Sequence, residues 1–280
     1  MRVLAVGDVV GQAGCDFLRQ KMPQLKEQYR PDFILVNGEN SAEGNGILPF
    51  SAKQIFDCGA DVITTGNHGL RRREINEMMD EQIGLIRPAN YHPDAHGAGV
   101  YLYDALSYQI GVVNLQGDVF LETYENPFGC MERLLSQIKA DIILVDFHAE
   151  ATSEKRALGF YLDGKVTAVF GTHTHVQTAD EKILPGGTGY ITDIGMCGPS
   201  HSVLGVTPEL AIRRMRTHLP TRFENASGSV TAPTKARGIT WFSFFSGSNA
   251  FEGPVNAVVT LSYSGETDSA VALQYLSVYQ

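Results

Sequence analysis

Short apolar runs recur along the chain, and most of them end on a polar cluster. Val3–Val6 leads into Gly7-Asp8, Phe33–Val36 into Asn37-Gly38-Glu39-Asn40, and Val62–Thr65 into Gly66-Asn67-His68. Ile110–Val113 leads into Asn114-Leu115-Gln116-Gly117, Ile142–Val145 into Asp146-Phe147-His148, and Val166–Phe170 into Gly171-Thr172-His173-Thr174-His175. Continuous runs rich in Val and Ile predict strands buried on both faces. Helical patterns fall between them, at about 15–29, 51–58, 72–83 and 128–139, and Pro23 predicts a kink or restart in the first. Thr207-Pro208-Glu209 reads as an N-cap, a proline at the first helical position and an early acid, opening a helix to about His218. Strands alternating with helices predict an α/β fold, whose chemistry gathers at the carboxyl ends of the strands.

After Pro220 the composition turns to Ser, Gly, Thr and aromatics, with strand-like runs at Thr240–Phe245, Ala257–Tyr263 and Val271–Tyr279. These predict antiparallel strands that complete the same unit, so residues 1–280 read as one domain with 221–280 as its β-rich C-terminal completion. Composition narrows the class further. With 43% hydrophobic and 19% charged residues among 280, the chain is neither disordered nor a coiled coil. The formal net charge of −9 argues against long nucleic acid as a partner, since the cationic field that holds phosphates is missing. It leaves room for a small anionic substrate if a bound metal supplies the cations. No apolar stretch approaches the ~20 residues of a membrane span, and no signal-length run precedes Gly7-Asp8. Cys15, Cys58, Cys130 and Cys197 form no C-x-x-C pair, which suits a reducing compartment. The expectation is a cytoplasmic protein without a membrane partner; a homo-oligomer is left open.

The strand tips collect Asp8, Glu39, Asn40, Asn67, His68, His148, His173 and His175. Carboxylate, amide oxygen and imidazole are the ligands of manganese, iron, or zinc held without thiolate. At a strand end His173 and His175 would point the same way, each able to serve one of two metals. Glu39 has two oxygens and could bridge them. If Asn67 binds metal, His68 diverges from it and is free to act as a general acid. Asp146 and Glu150 could orient histidines or be structural. Arg71–Arg73 reads as a solvated face or as phosphate steering, and His92, His96, His201 and His218 as solvated or helix-end residues. Glycines at 7, 11 and 14 do not fit a dinucleotide loop.

Eight ordered stretches carry a resemblance. They are Gly7-Asp8-Val9-Val10-Gly11, Asn37-Gly38-Glu39-Asn40, Thr65-Gly66-Asn67-His68, Arg87-Pro88-Ala89-Asn90, Asn114-Leu115-Gln116-Gly117, the run from Asp146 to Lys155, that from Gly171 to Asp180, and Ile191-Thr192-Asp193-Ile194-Gly195-Met196. Over residues 1 to about 220 the chain resembles the YmdB-type metallophosphoesterases, a bacterial branch of the calcineurin-like superfamily. The resemblance implies a sandwich of two facing mixed β-sheets flanked by helices. It also implies two divalent or transition-metal ions, iron or manganese ahead of zinc, and phosphodiesterase activity on 2′,3′- or 3′,5′-cyclic nucleotides through a metal-bridging hydroxide. Carried across, Asp8, Glu39, Asn40 and His175 hold one metal, Glu39, Asn67, His148 and His173 the other, and His68 donates a proton. Gly69-Leu70-Arg71 departs from the family's Thr-Trp-Asp, removing an acidic neighbour of His68. The alternatives on the same residues are a phosphomonoesterase, or a regulatory protein that binds metal and nucleotide with little turnover.

Overall fold

The computed structural model describes residues 1–226 apart from 82, 83, 107 and 200, together with strands at 239–243 and 257–261. The first half of the chain gives β1 (Arg2–Val6), β2 (Asp8–Val9), α1 (Gly11–Tyr29), β3 (Phe33–Asn37), α2 (Pro49–Asp57), β4 (Val62–Thr64), α3 (Asn76–Asp80), β5 (Val100–Asp104), β6 (Gln109–Gln116) and α4 (Pro127–Leu135). There follow β7 (Ile142–His148), α5 (Thr152–Tyr161), β8 (Ala168–Thr172), β9 (Lys182–Ile183), β10 (Gly189–Ile191), β11 (Met196–Cys197), α6 (Pro208–Thr217), β12 (Ile239–Ser243) and β13 (Ala257–Leu261). The architecture is mixed α/β. One sheet runs β13-β12-β1-β3-β4, a second β5-β6-β7-β8-β10-β9, and β11 pairs with β2. Neighbours from β1 to β4 and from β6 to β10 are parallel, with antiparallel strands added at the edges.

Alternation along the strands sorts the core. In β1 and β3, Leu4, Val6, Ile34 and Val36 pack on one side with Phe17, Leu18 and Met22 of α1 and Ile55 of α2. Val3, Ala5, Phe33 and Leu35 turn the other way and join Ile110, Val112, Leu144 and Phe170 of the second sheet. The far side of that sheet, with Val113, Val145 and Phe147, packs on Met131 and Leu134 of α4 and Leu158 of α5. Burying side chains of this size contributes about 1.5–3 kcal/mol each. Because the strands are buried on both faces, they carry the continuous apolar runs that marked them.

Several elements differ from expectation. The strands β6, β7 and β8 run past their apolar cores to Gln116, His148 and Thr172, so part of the polar cluster at each tip is itself strand. Helix α1 starts at Gly11 and runs unbroken through Pro23. Burial of Phe17, Leu18 and Met22 outweighs the single hydrogen bond that proline removes. The helix expected at 72–83 is a 3₁₀ turn at Arg73–Ile75 followed by the five residues of α3. Helix α5 has no counterpart among the expected helices, because its buried positions include Glu154 and Lys155, which blur an apolar period. Thr207 does sit at an N-cap, but its hydroxyl donates to the Glu224 carbonyl (3.3 Å) and caps nothing. The strands at 240 and 257 are present as β12, paired antiparallel to β1, and β13, paired antiparallel to β12. The run Val271–Tyr279 lies outside the described residues.

The four cysteines are free thiols. Burial pushes Cys15, Cys130 and Cys197 up to about 12, and it raises the half-buried Cys58 as well. Only a thiolate reacts with an alkylating agent. Iodoacetamide at pH 8 should therefore label no more than one thiol per native chain, Cys58, and all four after denaturation; mass spectrometry showing two or more in the native protein would contradict this packing. No helix among the described residues is long and apolar enough to cross a membrane.

Candidate metal centre

The parallel strands of both sheets end at one place. Asp146, on β7, accepts from Thr64 Oγ1 of β4 (2.5 Å), from Asn37 Nδ2 of β3 (3.2 Å) and from Thr172 Oγ1 of β8 (2.7 Å). This buried carboxylate ties the two sheets together directly beneath their polar tips. Its own burial pushes it up to about 6, against those hydrogen bonds and the nearby His148. Above it the structure brings together all eight residues picked from the sequence.

Glu39 stands at the centre and is buried. Its Oε1 lies 3.2 Å from His148 Nε2, 3.0 Å from Asn40 Nδ2 and 3.4 Å from His68 Nδ1, while Oε2 accepts from the His68 backbone N–H (2.9 Å). On one flank, Asp8 Oδ1 meets His175 Nε2 and Asn40 Nδ2, each at 3.5 Å. On the other, His148 Nε2 faces Asn67 Oδ1 and His173 Nδ1, each at 3.0 Å. Gly66 makes this second approach possible, because a Cβ there would run into the His148 ring. His173 and His175 thus reach different flanks, but not through strand pleating. Both lie beyond β8 with φ of 100° and 62°, so a left-handed bend aims them. Such backbone costs a non-glycine residue about 1–3 kcal/mol and persists only where its surroundings impose it.

Hydrogen bonding fixes which nitrogen of each histidine faces outward. The Thr172 hydroxyl gives its one proton to Asp146, so at 2.9 Å it must accept from His148 Nδ1. His175 Nδ1 is 3.0 Å from the Leu204 carbonyl, which can only accept. His173 Nε2 is 3.0 Å from a Glu150 oxygen. Each ring is therefore bonded outward through one nitrogen and turns the other inward, His148 Nε2 toward Glu39, His175 Nε2 toward Asp8 and His173 Nδ1 toward His148. That is how ligating histidines are held.

The charges agree with this fit. Burial opposes ionisation of Glu39, yet His148 and His68 hold it well below the usual carboxylate range. Burial likewise opposes a charge on His148, but Glu39 outweighs it and pushes the ring up to about 9. His173 is pushed down by burial and by His148. Three atoms with acceptor character crowd His148 Nε2, which can offer a proton to one of them at most. A cation satisfies such a set better. Among the described residues, Glu39, His148 and His173 have ligand atoms within 4.8 Å of one another. No thiolate joins them, so the donor set fits the harder divalent ions.

The site opens into a cleft of about 800 Å³ that Asn40, His68, Arg72, Arg222 and Phe223 help to line. His68 keeps a firm seat despite Gly69-Leu70-Arg71, since Asn40 Oδ1 lies 3.0 Å from its Nδ1. Arg71 and Arg73 are exposed, as a solvated face expects, whereas the half-buried Arg72 donates to the carbonyls of Glu43 (2.7 Å) and Asn45 (3.2 Å) beside the cleft. His92, His96, His201 and His218 are exposed, away from the centre. Sequence reasoning missed the supporting groups Thr64, Asn37, Thr172, Lys155 and Asp193. Asn37 and Thr172 sat in the polar clusters at the strand ends without a role, while Thr64, Lys155 and Asp193 carried no local signal.

The family model for YmdB-like protein matches residues 4–236. A 2′,3′-cyclic-nucleotide 2′-phosphodiesterase of Bacillus subtilis is 46% identical over 233 residues, 82% of this chain and 88% of the relative. A putative phosphatase/phosphodiesterase of Mycoplasma pneumoniae is 37% identical over 222 residues, 76% of this chain and 78% of the relative. Among solved structures, a hypothetical protein from Thermus thermophilus matches with a TM-score of 0.81 at 39% identity, covering 87% of this chain and 94% of the other. A Mycoplasma pneumoniae phosphatase matches with 0.79 at 34%, covering 86% and 87%. Fold, site and relatives define a phosphoric ester hydrolase. The chain belongs to the YmdB-like family.

Proposed function

We propose that this chain is a di-metal phosphodiesterase acting on cyclic nucleotides, 2′,3′- or 3′,5′-cyclic monophosphates. The observation that carries the reading is the set of three histidines, each bonded outward through one nitrogen and turning the other inward among carboxylates and amides between two sheets. Asp8, Asn40 and His175 would hold one cation, Asn67, His148 and His173 the other, and Glu39 both. Two such ions, iron or manganese ahead of zinc, neutralise phosphate and acidify water when bound. His68 stands beside Glu39, lines the cleft and protonates the leaving ribose oxygen; its backbone N–H is spent on Glu39, which keeps the ring in place. The same residues would serve a monoesterase, but the Bacillus subtilis relative, named for a cyclic diester, favours the diester. The firm seat of His68 favours turnover over a purely regulatory role. Helices outside, two sheets sharing one core, and β12 and β13 extending the sheet of β1 support a single sandwich domain over 1–280.

The test is turnover of bis-p-nitrophenyl phosphate against p-nitrophenyl phosphate, then a panel of cyclic nucleotides, on protein assayed for metal. The diester should be the better substrate, with two ions per chain. Cleavage of the monoester alone sinks the substrate class, and fewer than two ions at saturation contradicts the ligand set.

A further inference from the structure

Two buried charged residues lie behind the centre and touch none of the candidate ligands' side chains. Lys155, on α5, and Asp193, in the loop after β10, are both buried, and Lys155 Nζ lies 2.5 Å from Asp193 Oδ2. Neither arises from the apolar patterning that built the core, and a buried pair costs desolvation that excellent geometry must offset. Their remaining hydrogen bonds show what the geometry serves. Lys155 Nζ donates to the Thr172 carbonyl (2.7 Å), immediately before His173. Asp193 Oδ2 accepts from the Thr174 N–H (3.2 Å), immediately after it. The His173 N–H itself donates to Asp8 Oδ2 (3.1 Å). The peptide groups on both sides of the left-handed His173 are thus clamped by one ion pair. The other Asp193 oxygen accepts from the Gly195 N–H (2.8 Å), and the Gly195 carbonyl accepts from the Asp8 N–H (3.1 Å). One carboxylate therefore fixes the backbone of His173 on one flank and of Asp8 on the other.

We infer that Lys155 and Asp193 are positioning residues, a preset brace that holds His173 and Asp8 in their ligating pose before any cation arrives. This rests on the di-metal reading above. A left-handed histidine would relax toward ordinary backbone without the clamp, carrying its ring off His148 and Glu39. The α5 helix supplies the lysine, and the brace accounts for a charged residue being buried on its inner face.

The experiment is cobalt(II) titration of chelator-stripped full-length protein, read by the cobalt visible absorption band and by calorimetry. Wild type should take up two ions. Lys155→Met should fold and bind both about 10- to 100-fold more weakly, the size seen when groups that orient ligands are removed. Asp193→Asn, which keeps an oxygen for one backbone N–H and drops the charge, should show a smaller loss and serves if Lys155→Met does not fold. Met22→Ala, a core change in α1, is the control for lost stability alone. Cobalt affinity in the folded brace variants within twofold of wild type, or no weaker than in Met22→Ala, overturns the brace. Wild-type protein that binds no cobalt overturns the metal site itself and the brace with it.

Discussion

Glu39→Gln should abolish turnover, by at least about 10³-fold, and leave the protein with fewer than two bound ions. Removing one preorganised group that stabilises charge costs about 10²–10³ in rate. Glu39 does more than one such job. It is the carboxylate that both flanks share, it holds the His68 backbone at 2.9 Å, and it is the negative charge that draws a proton onto His148. Glutamine is the same size, so the fold should persist, but it offers one oxygen in place of two and no charge. His68→Ala separates the roles: it should lose about 10²–10⁴ in rate while keeping both ions. Metal analysis alongside steady-state kinetics checks both. Full metal loading in Glu39→Gln would remove it from the centre of the site.

Asp146→Ala should destabilise the protein by about 3 kcal/mol, lowering Tm by roughly 6–12 °C. The variant takes from Thr64 Oγ1, Asn37 Nδ2 and Thr172 Oγ1, all buried and drawn from both sheets, the acceptor they share. Asp146→Asn should cost far less. Burial works against the ionised carboxyl and raises it, so a neutral amide gives up charge at little loss and still accepts from a hydroxyl. Guanidinium unfolding measures both. An alanine variant within about 1 kcal/mol of wild type would mean that the sheets do not lean on this contact. The alanine variant also frees Thr172 to turn its hydroxyl toward His148, so its cation affinity should fall with its stability.

Much of the site was readable because parallel α/β folds put their chemistry at strand ends, and the strands here announce themselves as apolar runs. Asp8, Glu39, Asn67, His148 and His173 each follow such a run or end it. Pleating does not account for His173 and His175, since it predicts a shared direction and the bend beyond Thr172 sends them apart. Arg72 reads as charge, yet its role is set by two carbonyls 27 and 29 positions earlier in the chain, which no local pattern reveals.

By itself the sequence determined the alternation of strands and helices, the overall acidity, and which side chains could ligate. Those properties are local, written in hydrophobic period and residue type. Tertiary structure alone decided which nitrogen of each histidine faces inward, because that depends on Thr172, Leu204 and Glu150, brought from elsewhere in the fold. It also decided that Lys155 and Asp193 are buried partners 38 residues apart. Charged residues inside a helix or loop read as surface until the packing around them is known, and only burial makes their pairing necessary.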